Sequence, residues 1–267
     1  MGDTIKTRKG SKAALDADPL LLAELGFVTD EERVYIGGNT GNIPLPNAAD
    51  LSERVKQTTK DITYYVSTTG NDSNDGLTSG TTFKTIAKAI SMLPQVINHT
   101  VNINIASGTY NETVNINGFF GQGSINVNGG TTNVNAVNYI VNQLLIKNCT
   151  CNVTIKGVTA NTTSSFGFGL YNNVYVSLVS CVCTASTAVQ PGIHGAKGGT
   201  VCIATCIISN RANGIQALNG TIIISDSNSG TGNATGIFAA SGGTITKAGT
   251  QPTGTTAEST SYGGAIR

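Results

Sequence analysis

The sequence predicts an all-β fold, a parallel β-helix in which short strands stack in successive turns. The main observation is a repeat: Gly-Ile pairs begin at residues 192, 214 and 236, a spacing of 22 residues both times. Each pair leads into a glycine and a strand-like run: "GGTVCIA" from 198, "NGTIIIS" from 219 and "GGTITKAG" from 242. Composition agrees, because Gly is abundant at 33 residues, Pro is scarce at 6 and only 12% of residues are charged. Short strands that recur at this period, with Gly and Asn at the corners, are typical of β-helical turns.

The β-helix is predicted to occupy residues 99–249. A more degenerate copy of the repeat, "GLYNNVYVSLV", begins at residue 169. The segment has room for about six or seven turns, which at about 4.8 Å per turn make a solenoid about 30 Å long. Both ends of such a solenoid need a cap, because they expose strand edges and apolar core. Residues 250–267 have no periodic apolar pattern and are predicted to be a C-terminal cap or tail, a loop with a final short strand.

The N-terminal cap is predicted to be a helix within residues 64–98. The stretch "TTFKTIAKAISMLPQV" has apolar residues at helical spacing. Thr81 or Thr82 is placed to cap the start of this helix, and Pro94 to end it. The pattern favours a lid over the first turn of the solenoid, with a free-standing docking surface as the alternative. The apolar stripe consists of Phe83, Ile86, Ala87, Ile90 and Leu93.

The six cysteines are predicted to line the interior of the β-helix. Small apolar thiols are among the most buried side chains and suit a narrow interior stack. Disulfides and a metal site are the alternatives, although the two Cys-x-Cys pairs lack zinc-ligand spacing and only two histidines, His99 and His194, exist. Aligning "LLIKNCTC", "VSLVSCVC" and "VCIATCII" predicts one column of Cys149, Cys181 and Cys206 and a second of Cys151 and Cys183.

The segment before the repeats, "YYVSTTGNDSNDGLTSGTTFKTIAKAI" at 64–90, resembles the start of right-handed β-helix proteins of the pectate-lyase-like superfamily. In that superfamily an extended strand, a Gly-Asn-Asp turn and an amphipathic helix precede the first coil. The resemblance implies a right-handed β-helix. "NDSNDG" at 71–76 superficially looks like a calcium loop, but it lacks the later bidentate Glu, and we interpret it as a polar turn.

The first 47 residues resemble a different family module. "IKTRKGSKAAL", "LLLAELGFVTDEERVYIG" and "GNTGNIPL" are similar to the small N-terminal module of many bacteriophage tail fibres, tailspikes and phage hyaluronidases. In that family the module joins the fibre to the virion, so residues 1–48 are predicted to be a virion-attachment module. Physically, Phe27-Val28 and Val34-Tyr35-Ile36 flank a charged turn and predict a β-hairpin, with Gly37, Gly38 and Gly41 in the next turn.

Residues 49–63 are predicted to be a helical linker. Asp50 is a plausible cap, and the apolar positions have heptad spacing, although two heptads are too few to specify a coiled coil alone. Phage fibres and spikes of this plan are commonly trimers, so the resemblance implies a homotrimer with three short helices around its axis. The positions of this heptad seam are Leu51, Val55, Thr58 and Ile62.

Catalysis needs groups that this sequence hardly offers. Glycoside hydrolysis generally uses two carboxyl groups about 5–10 Å apart, and a lyase often holds calcium with several carboxylates. Between residues 100 and 250 the only carboxylates are Glu112 and Asp226. They are separated by about five turns, more than about 20 Å along the axis. We therefore assign no catalytic, cofactor-binding or metal-binding residue and expect no enzymatic activity.

Two routes to a polysaccharide lyase or hydrolase remain open. One is a site between subunits, and the other uses the basic residues Lys197, His194 and Arg211 on an anionic sugar without a metal. The simpler interpretation of these three residues is that they are solvated corners of the solenoid. Three tyrosines could stack on sugar rings, although Tyr is ordinary in strands. These are Tyr110, Tyr171 and Tyr175.

The remaining observations narrow the function. A net charge of +1 gives no reason to expect nucleic acid or an anionic membrane as partner. No apolar run is long enough to span a membrane, and "MGDTIKTRKG" has neither a signal-peptide core nor a myristoylation pattern. Together with the resemblances, this predicts a structural phage or prophage virion protein, assembled in the bacterial cytoplasm. It would be a tail fibre or spike that contacts other virion proteins through residues 1–48 and adsorbs to a host surface glycan. The alternatives are a polysaccharide-degrading tailspike, a head or collar fibre, and a baseplate spacer.

Overall fold

A computed structural model describes residues 7–21, 24–29, 31–46, 56–132, 136–184 and 189–267 of the chain. The chain divides into two compact units, Met1–Lys56 and Gln57–Arg267. No helix among the described residues is long and apolar enough to cross a membrane.

In its described residues, the first unit consists of a four-stranded sheet and one short helix. Its elements are β1 (Thr7–Gly10), α1 (Lys12–Ala17), β2 (Leu25–Val28), β3 (Arg33–Gly38) and β4 (Gly41–Pro44). The strands lie in the order β1-β2-β3-β4, with β1 parallel to β2 and the other pairs antiparallel. The predicted hairpin is confirmed, because Phe27 lies opposite Val34 and Gly38 opposite Gly41.

The core of the first unit is small and is supported by one arginine. Leu15, Leu20, Val28 and Tyr35 form its buried cluster. Arg8 on β1 donates from Nε and Nη2 to the two carboxylate oxygens of Glu24, both at 2.8 Å. The same guanidinium bonds Asp18 Oδ2 at 2.7 Å and the carbonyl oxygens of Asp18 and Pro19. Arg8 therefore connects β1 to the segment between α1 and β2.

The second unit is a right-handed parallel β-solenoid of about seven turns, as predicted. Its first sheet has nine strands, all paired in parallel. They are β5 (Ile62–Val66), β6 (Thr100–Ile105), β8 (Ser124–Asn128), β10 (Asn152–Lys156), β13 (Tyr175–Val179), β16 (Thr200–Ala204), β19 (Ile222–Asp226), β21 (Thr244–Ala248) and β23 (Ala265–Ile266).

The second sheet of the solenoid bends around the other two sides. Two long strands, β7 (Gly108–Asn117) and β9 (Tyr139–Lys147), pair with each other, and shorter strands stack on the two halves of β9. On the first half lie β11 (Thr159–Ala160), β14 (Val182–Thr184) and β17 (Ile207–Ser209). On the second half lie β12 (Phe168–Tyr171), β15 (Ile193–Ala196), β18 (Asn213–Leu218), β20 (Asn233–Ala240) and β22 (Gly254–Ser261).

The core of the solenoid consists of stacked like residues. The 22-residue repeat appears directly in the register, because Ile193 lies beside Ile215 and Ile215 beside Ile237. Strands of the first sheet alternate buried and less buried residues, as the pleat requires. One interior column of this sheet is entirely aliphatic: Val101, Ile125, Val153, Val176, Val201, Ile223, Ile245 and Ile266.

The predicted capping helix is present as α2 (Ile86–Ser91), and it packs on the core at the first turns. Its N-cap is Thr85 rather than Thr81 or Thr82, because the Thr85 side chain accepts from Lys88 N. Phe83 precedes the helix, in a bridge to Val66. Ala87, which was predicted to belong to the apolar stripe, is exposed, and Ala89 is buried instead. A helix that begins at residue 86 turns the face with Ala89 towards the core.

Two further expectations about segments are corrected. Thr58 and Ile62 do not belong to a linker helix, because Thr58 packs against residues 96–99 with hydrogen bonds and Ile62 begins β5. The other two seam positions, Leu51 and Val55, and the Asp50 cap lie outside the described residues. At the C-terminus the predicted loop contains an eight-residue strand, β22, as well as the expected short strand β23, so the solenoid continues towards the chain end.

The cysteines are free and mostly buried, as predicted, but their columns differ in part. Cys149, Cys151, Cys181, Cys183 and Cys206 are buried, whereas Cys202 is partly exposed. Cys181 and Cys206 do stack, with Cys181 N donating to the sulfur of Cys206 at 3.3 Å. Cys149 lies at a different corner, where its neighbour is Asn173. Cys183 stacks between Ala160 and Ile208 instead of with Cys151. Turns of unequal length shift the alignment.

Candidate functional site

A lateral groove of about 400 Å³ opens on the side of the solenoid where β9, β12 and β15 stack. This volume is within the range of small-ligand sites, about 300–1,000 Å³. Gln143, Leu145 and Lys147 reach it from β9, and Tyr171 from β12. The lining residues are Gln143, Leu145, Lys147, Asn148, Ser165, Phe166, Tyr171 and Lys197. We call this feature the lateral groove.

The aromatic side of the lateral groove is tightly arranged. The Phe166 ring stacks on His194 with centroids 4.2 Å apart and planes 9° apart. Tyr171 meets Phe166 edge-on at 6.5 Å and lies 5.4 Å from the His194 ring. Gly169 makes room for the Tyr171 ring, because a Cβ there would come within 2.9 Å of it. The backbone around Phe166 is held as well, since Gln143 Nε2 donates to Ser165 Oγ at 2.7 Å and to Phe166 O at 2.9 Å.

His194 is buried beneath these rings, which contradicts its interpretation as a solvated corner residue. It is 8% exposed, and its Nδ1 donates to Gln216 Oε1 at 2.7 Å. Burial lowers the pKa of His194, and the hydrogen bond to Gln216 opposes this shift only in part. The imidazole is therefore neutral at pH 7 and acts as part of the aromatic wall.

Arg211 is also buried rather than solvated, with 1% of its surface exposed. Its Nη1 donates to Ser165 O at 3.4 Å, while Nε and Nη2 have no hydrogen-bond partner in the described part of the chain. Burial raises the pKa of the nearby Cys183 thiol to about 12, against the opposing effect of the guanidinium, so this thiol stays neutral. The cationic charge of Arg211 thus lies directly behind the wall that Ser165 and Phe166 form.

Lys197 is exposed at a corner of the solenoid, as predicted, and it lines the lateral groove. The corner has a left-handed backbone at successive turns: φ is 54° at Asn148, 53° at Asn172, 68° at Lys197, 51° at Asn219, 50° at Ser241 and 47° at Tyr262. Asn adopts this conformation more readily than a long side chain does. Asparagine occupies three of these corners, whereas a lysine occupies the one that borders the groove.

The two carboxylates between residues 100 and 250, Glu112 and Asp226, are far from each other, and neither lines the lateral groove. The oxygens of Glu112 accept from Ile86 N at 2.8 Å and Ala87 N at 2.9 Å, so this carboxylate caps the start of α2. Asp226 is exposed on β19 and accepts from Ser227 Oγ. Glu112 lies on β7, which follows β6, and β19 lies five strands beyond β6 in its sheet, so the two carboxylates are separated by about 24 Å along the axis.

Only one of the three tyrosines that we considered, Tyr171, lines the lateral groove. Tyr110 is buried and donates its hydroxyl to Ala106 O at 2.8 Å, and burial raises its pKa to about 12. Tyr175 lies on β13 of the first sheet, beside Cys202 of the next turn. These two tyrosines therefore do not form a common platform with Tyr171.

The possible calcium loop at 71–76 is built as a polar turn. Asp72 accepts from the backbone of Lys84 and Thr85, and Asp75 accepts from Leu77 N and Thr81 Oγ1. No group of three or more His, Cys, Asp or Glu side chains suited to a metal ion occurs within the described ranges.

Sequence reasoning identified Lys197, His194 and Tyr171 but missed Lys147, Phe166 and Gln143, which complete the lateral groove. Lys147 ends an apolar run, "LLIK", and Phe166 lies in "SSFGFG", so both look like ordinary β-helix residues. The sequence did contain one positional signal. Lys147 lies one residue before the corner asparagine Asn148, and Tyr171 lies one residue before Asn172, so the two residues occupy equivalent places in adjacent turns. Recognising it requires the strand register.

Taken together, the fold and groove define a parallel β-solenoid protein with a lateral groove lined by lysines and aromatic rings. Comparisons with protein-family models, curated proteins and solved structures found no match to this chain.

The burial of His194 predicts a pH dependence of stability. Because its pKa is lower in the folded protein than in the unfolded chain, the unfolded chain binds more protons as the pH falls through the ordinary His range near 6.5. The free energy of unfolding should therefore decrease from pH 7.5 to 5.5 and stop decreasing, for this group, below the lowered pKa. Thermal unfolding of the protein across this range measures the effect.

The matched variant for this prediction is His194→Phe, which keeps an aromatic ring on Phe166 and removes the titrating group. We expect its melting temperature to change less between pH 7.5 and 5.5 than that of the parent. An equal decrease in both proteins would assign the pH dependence to groups other than His194.

Proposed function

We propose that this chain is a structural appendage of a bacteriophage or prophage particle, a tail fibre or spike that adsorbs to a glycan of the host surface. Residues 1–48 attach it to other virion proteins, and the β-solenoid carries the adsorption surface. The observation that carries the proposal is the division of the chain into a small unit, Met1–Lys56, and a solenoid, Gln57–Arg267. The resemblance of the first 47 residues to virion-attachment modules supports the assignment of the small unit.

The contacts and the separation of the two carboxylates between residues 100 and 250 favour adsorption over cleavage. Glu112 is engaged by two N–H groups of α2, and Asp226 lies about 24 Å further along the axis. A retaining or inverting hydrolase needs its carboxyl groups within about 10 Å of each other. The lateral groove itself offers lysines, amides and rings, which suit binding.

The experiment that tests this proposal is cryo-electron microscopy of the intact particle. We expect a fibre or spike with residues 1–48 against the particle and the solenoid outside. Absence of the chain from the particle would overturn the proposal. If the purified protein instead shortened a host polysaccharide, the tailspike depolymerase would replace the non-enzymatic fibre.

The proposed homotrimer is tested separately. Because Thr58 and Ile62 are used by the solenoid, the trimer cannot rely on the full heptad seam of residues 49–62. We expect multi-angle light scattering of the full-length protein to give three times the chain mass of 27.4 kDa. A mass of one chain would contradict the trimer. The proposal that the chain is a virion appendage would then still be tested by the microscopy of the particle.

A further inference from the structure

We infer that the lateral groove binds a saccharide unit that carries a carboxylate, such as a uronic acid. The inference rests on the proposed adsorption function and assigns it a location and a ligand class. The first basis of the inference is charge: Lys147 and Lys197 both line the groove, and none of its described lining residues carries a carboxylate. Neither lysine forms an ion pair with any described Asp or Glu. Two unpaired ammonium groups on one concave surface favour an anionic ligand.

The buried guanidinium of Arg211 strengthens this charge. It lies behind Ser165, and two of its nitrogens lack a hydrogen-bond partner in the part of the chain that the structure describes. The neighbouring Cys183 thiol is neutral at pH 7 and does not compensate it. A charge in a low-dielectric interior acts over a longer distance than one in water. Arg211 thus adds positive potential to the groove without touching the ligand.

The aromatic wall indicates a sugar ring rather than a simple anion. Tyr171 lines the groove. Burial raises the pKa of Tyr171, so the hydroxyl remains a donor at neutral pH. An amphipathic ring of this kind offers an apolar surface to the C–H face of a pyranose and a polar end to its hydroxyl groups. Lys147 Nζ lies 5.9 Å from the centre of the same ring, within reach of a ligand that contacts Tyr171.

The wall is organised before any ligand binds. Phe166 stacks on His194, and Gln143 holds the backbone and side chain on either side of it. Gly169 leaves room for the Tyr171 ring, because a Cβ there would come within 2.9 Å of it. A rigid site loses little conformational freedom on binding, which favours weak carbohydrate ligands.

Lys197 gives a further indication of a binding role. It adopts a left-handed conformation, with φ 68°, in a corner column that has Asn148, Asn172 and Asn219 at three other turns and Ser241 and Tyr262 at the last two. Replacing it with Asn would suit the local backbone better. A less suitable residue at a site that faces a groove is expected where its side chain has a function.

The experiment is a ligand-observed NMR titration of the full-length protein with methyl β-D-glucuronide. A single sugar ring should bind with a dissociation constant of order 1–10 mM. We expect Lys147→Gln and Lys197→Asn each to weaken binding at least fivefold, and the double variant to abolish it. Lys197→Asn should be at least as stable as the parent, which separates lost binding from lost folding.

Three controls decide the ligand class. Lys156→Gln removes the same charge from β10, away from the groove, and should leave binding unchanged. Methyl β-D-glucoside, which lacks the carboxylate, should bind at least tenfold more weakly than the glucuronide. Glycerol 3-phosphate tests the anion alone and should also bind more weakly, because it has no pyranose face for Tyr171.

Several outcomes would overturn the inference. They are an absence of glucuronide binding, an equal loss in Lys156→Gln, or equal binding of glycerol 3-phosphate. None of these results would affect the location of the chain on the particle, which the microscopy tests. Conversely, glucuronide binding that depends on Lys147 and Lys197 would stand even if the chain were not a virion component.

Discussion

Replacing Arg211 with Met is expected to make the solenoid more stable, whereas replacing it with Ala is expected to make it less stable. Met keeps the aliphatic volume of the side chain and removes a buried cation that has two unpartnered nitrogens among the described residues. Exchanging buried charged groups for apolar ones of similar volume often raises stability by about 1–4 kcal/mol. We expect a gain of about 1–2 kcal/mol, because the 3.4 Å bond to Ser165 is also lost.

The Ala variant isolates the packing contribution of the same side chain. Truncation of a large buried side chain leaves a cavity and typically costs about 2–5 kcal/mol. Equilibrium unfolding in denaturant gives the free energy of unfolding of all three proteins. A Met variant that loses more than about 1 kcal/mol would mean that a counter-ion or ordered water stabilises the guanidinium.

The Arg211→Met variant also connects stability to the proposed ligand site. If Arg211 supplies positive potential behind Ser165, the variant should bind methyl β-D-glucuronide several-fold more weakly although it is more stable. Such opposite effects on stability and binding are expected of a residue retained for function. Equal or tighter binding would mean that Arg211 does not contribute to ligand binding and that the positive charge of the groove comes from Lys147 and Lys197 alone.

Replacing Arg8 with Ala is expected to unfold the small N-terminal unit. The described part of this unit has a buried cluster of four residues, and the Arg8 guanidinium donates five hydrogen bonds around Glu24 and Asp18. Its loss leaves the Glu24 carboxylate, which is 9% exposed, without its bidentate partner. Breaking one side of such a pair is strongly destabilising, because the other charge remains buried.

Limited proteolysis of the full-length protein with chymotrypsin measures this effect. Tyr35 is 7% exposed and should resist cleavage in the parent but become a rapid site in Arg8→Ala. Lys9→Ala is the matched control, since Lys9 is the adjacent, exposed cation on β1. Arg8→Lys should behave more like Ala than like the parent, because an ammonium group cannot make the two-pronged bond to Glu24. Protection of Tyr35 in Arg8→Ala would contradict the role assigned to this arginine.

The fold could be predicted well from the sequence because its signals are local and repeated. A period of 22 residues with β-branched runs specifies stacked turns, and the register of Ile193, Ile215 and Ile237 confirms it. The capping helix was predicted for the same reason, since its apolar spacing lies within a few residues. Its N-cap, Thr85, was missed because three threonines precede the helix and the choice depends on where Phe83 packs.

The errors arose where turn lengths vary. Aligning the cysteines by their local sequence predicts that Cys149 stacks with Cys181 and Cys206. In the structure Cys181 and Cys206 do stack, but Cys149 lies at a different corner of the solenoid. Thr58 and Ile62 have heptad spacing, but in the structure both belong to the first coil. Thr58 accepts hydrogen bonds from the backbone of residues 98 and 99, and Ile62 pairs with Val101 in the sheet. Tertiary partners prevailed over a short local pattern.

The sequence by itself determined the repeating architecture, the burial of most cysteines and the scarcity of carboxylates, because these depend on composition and on intervals along the chain. The tertiary structure alone decided that Lys147, Phe166, Tyr171 and Lys197 share one groove and that His194 and Arg211 lie beneath it. The physical reason is that neighbours across a solenoid are more than twenty residues apart along the chain. A one-residue change in any turn alters which of them meet.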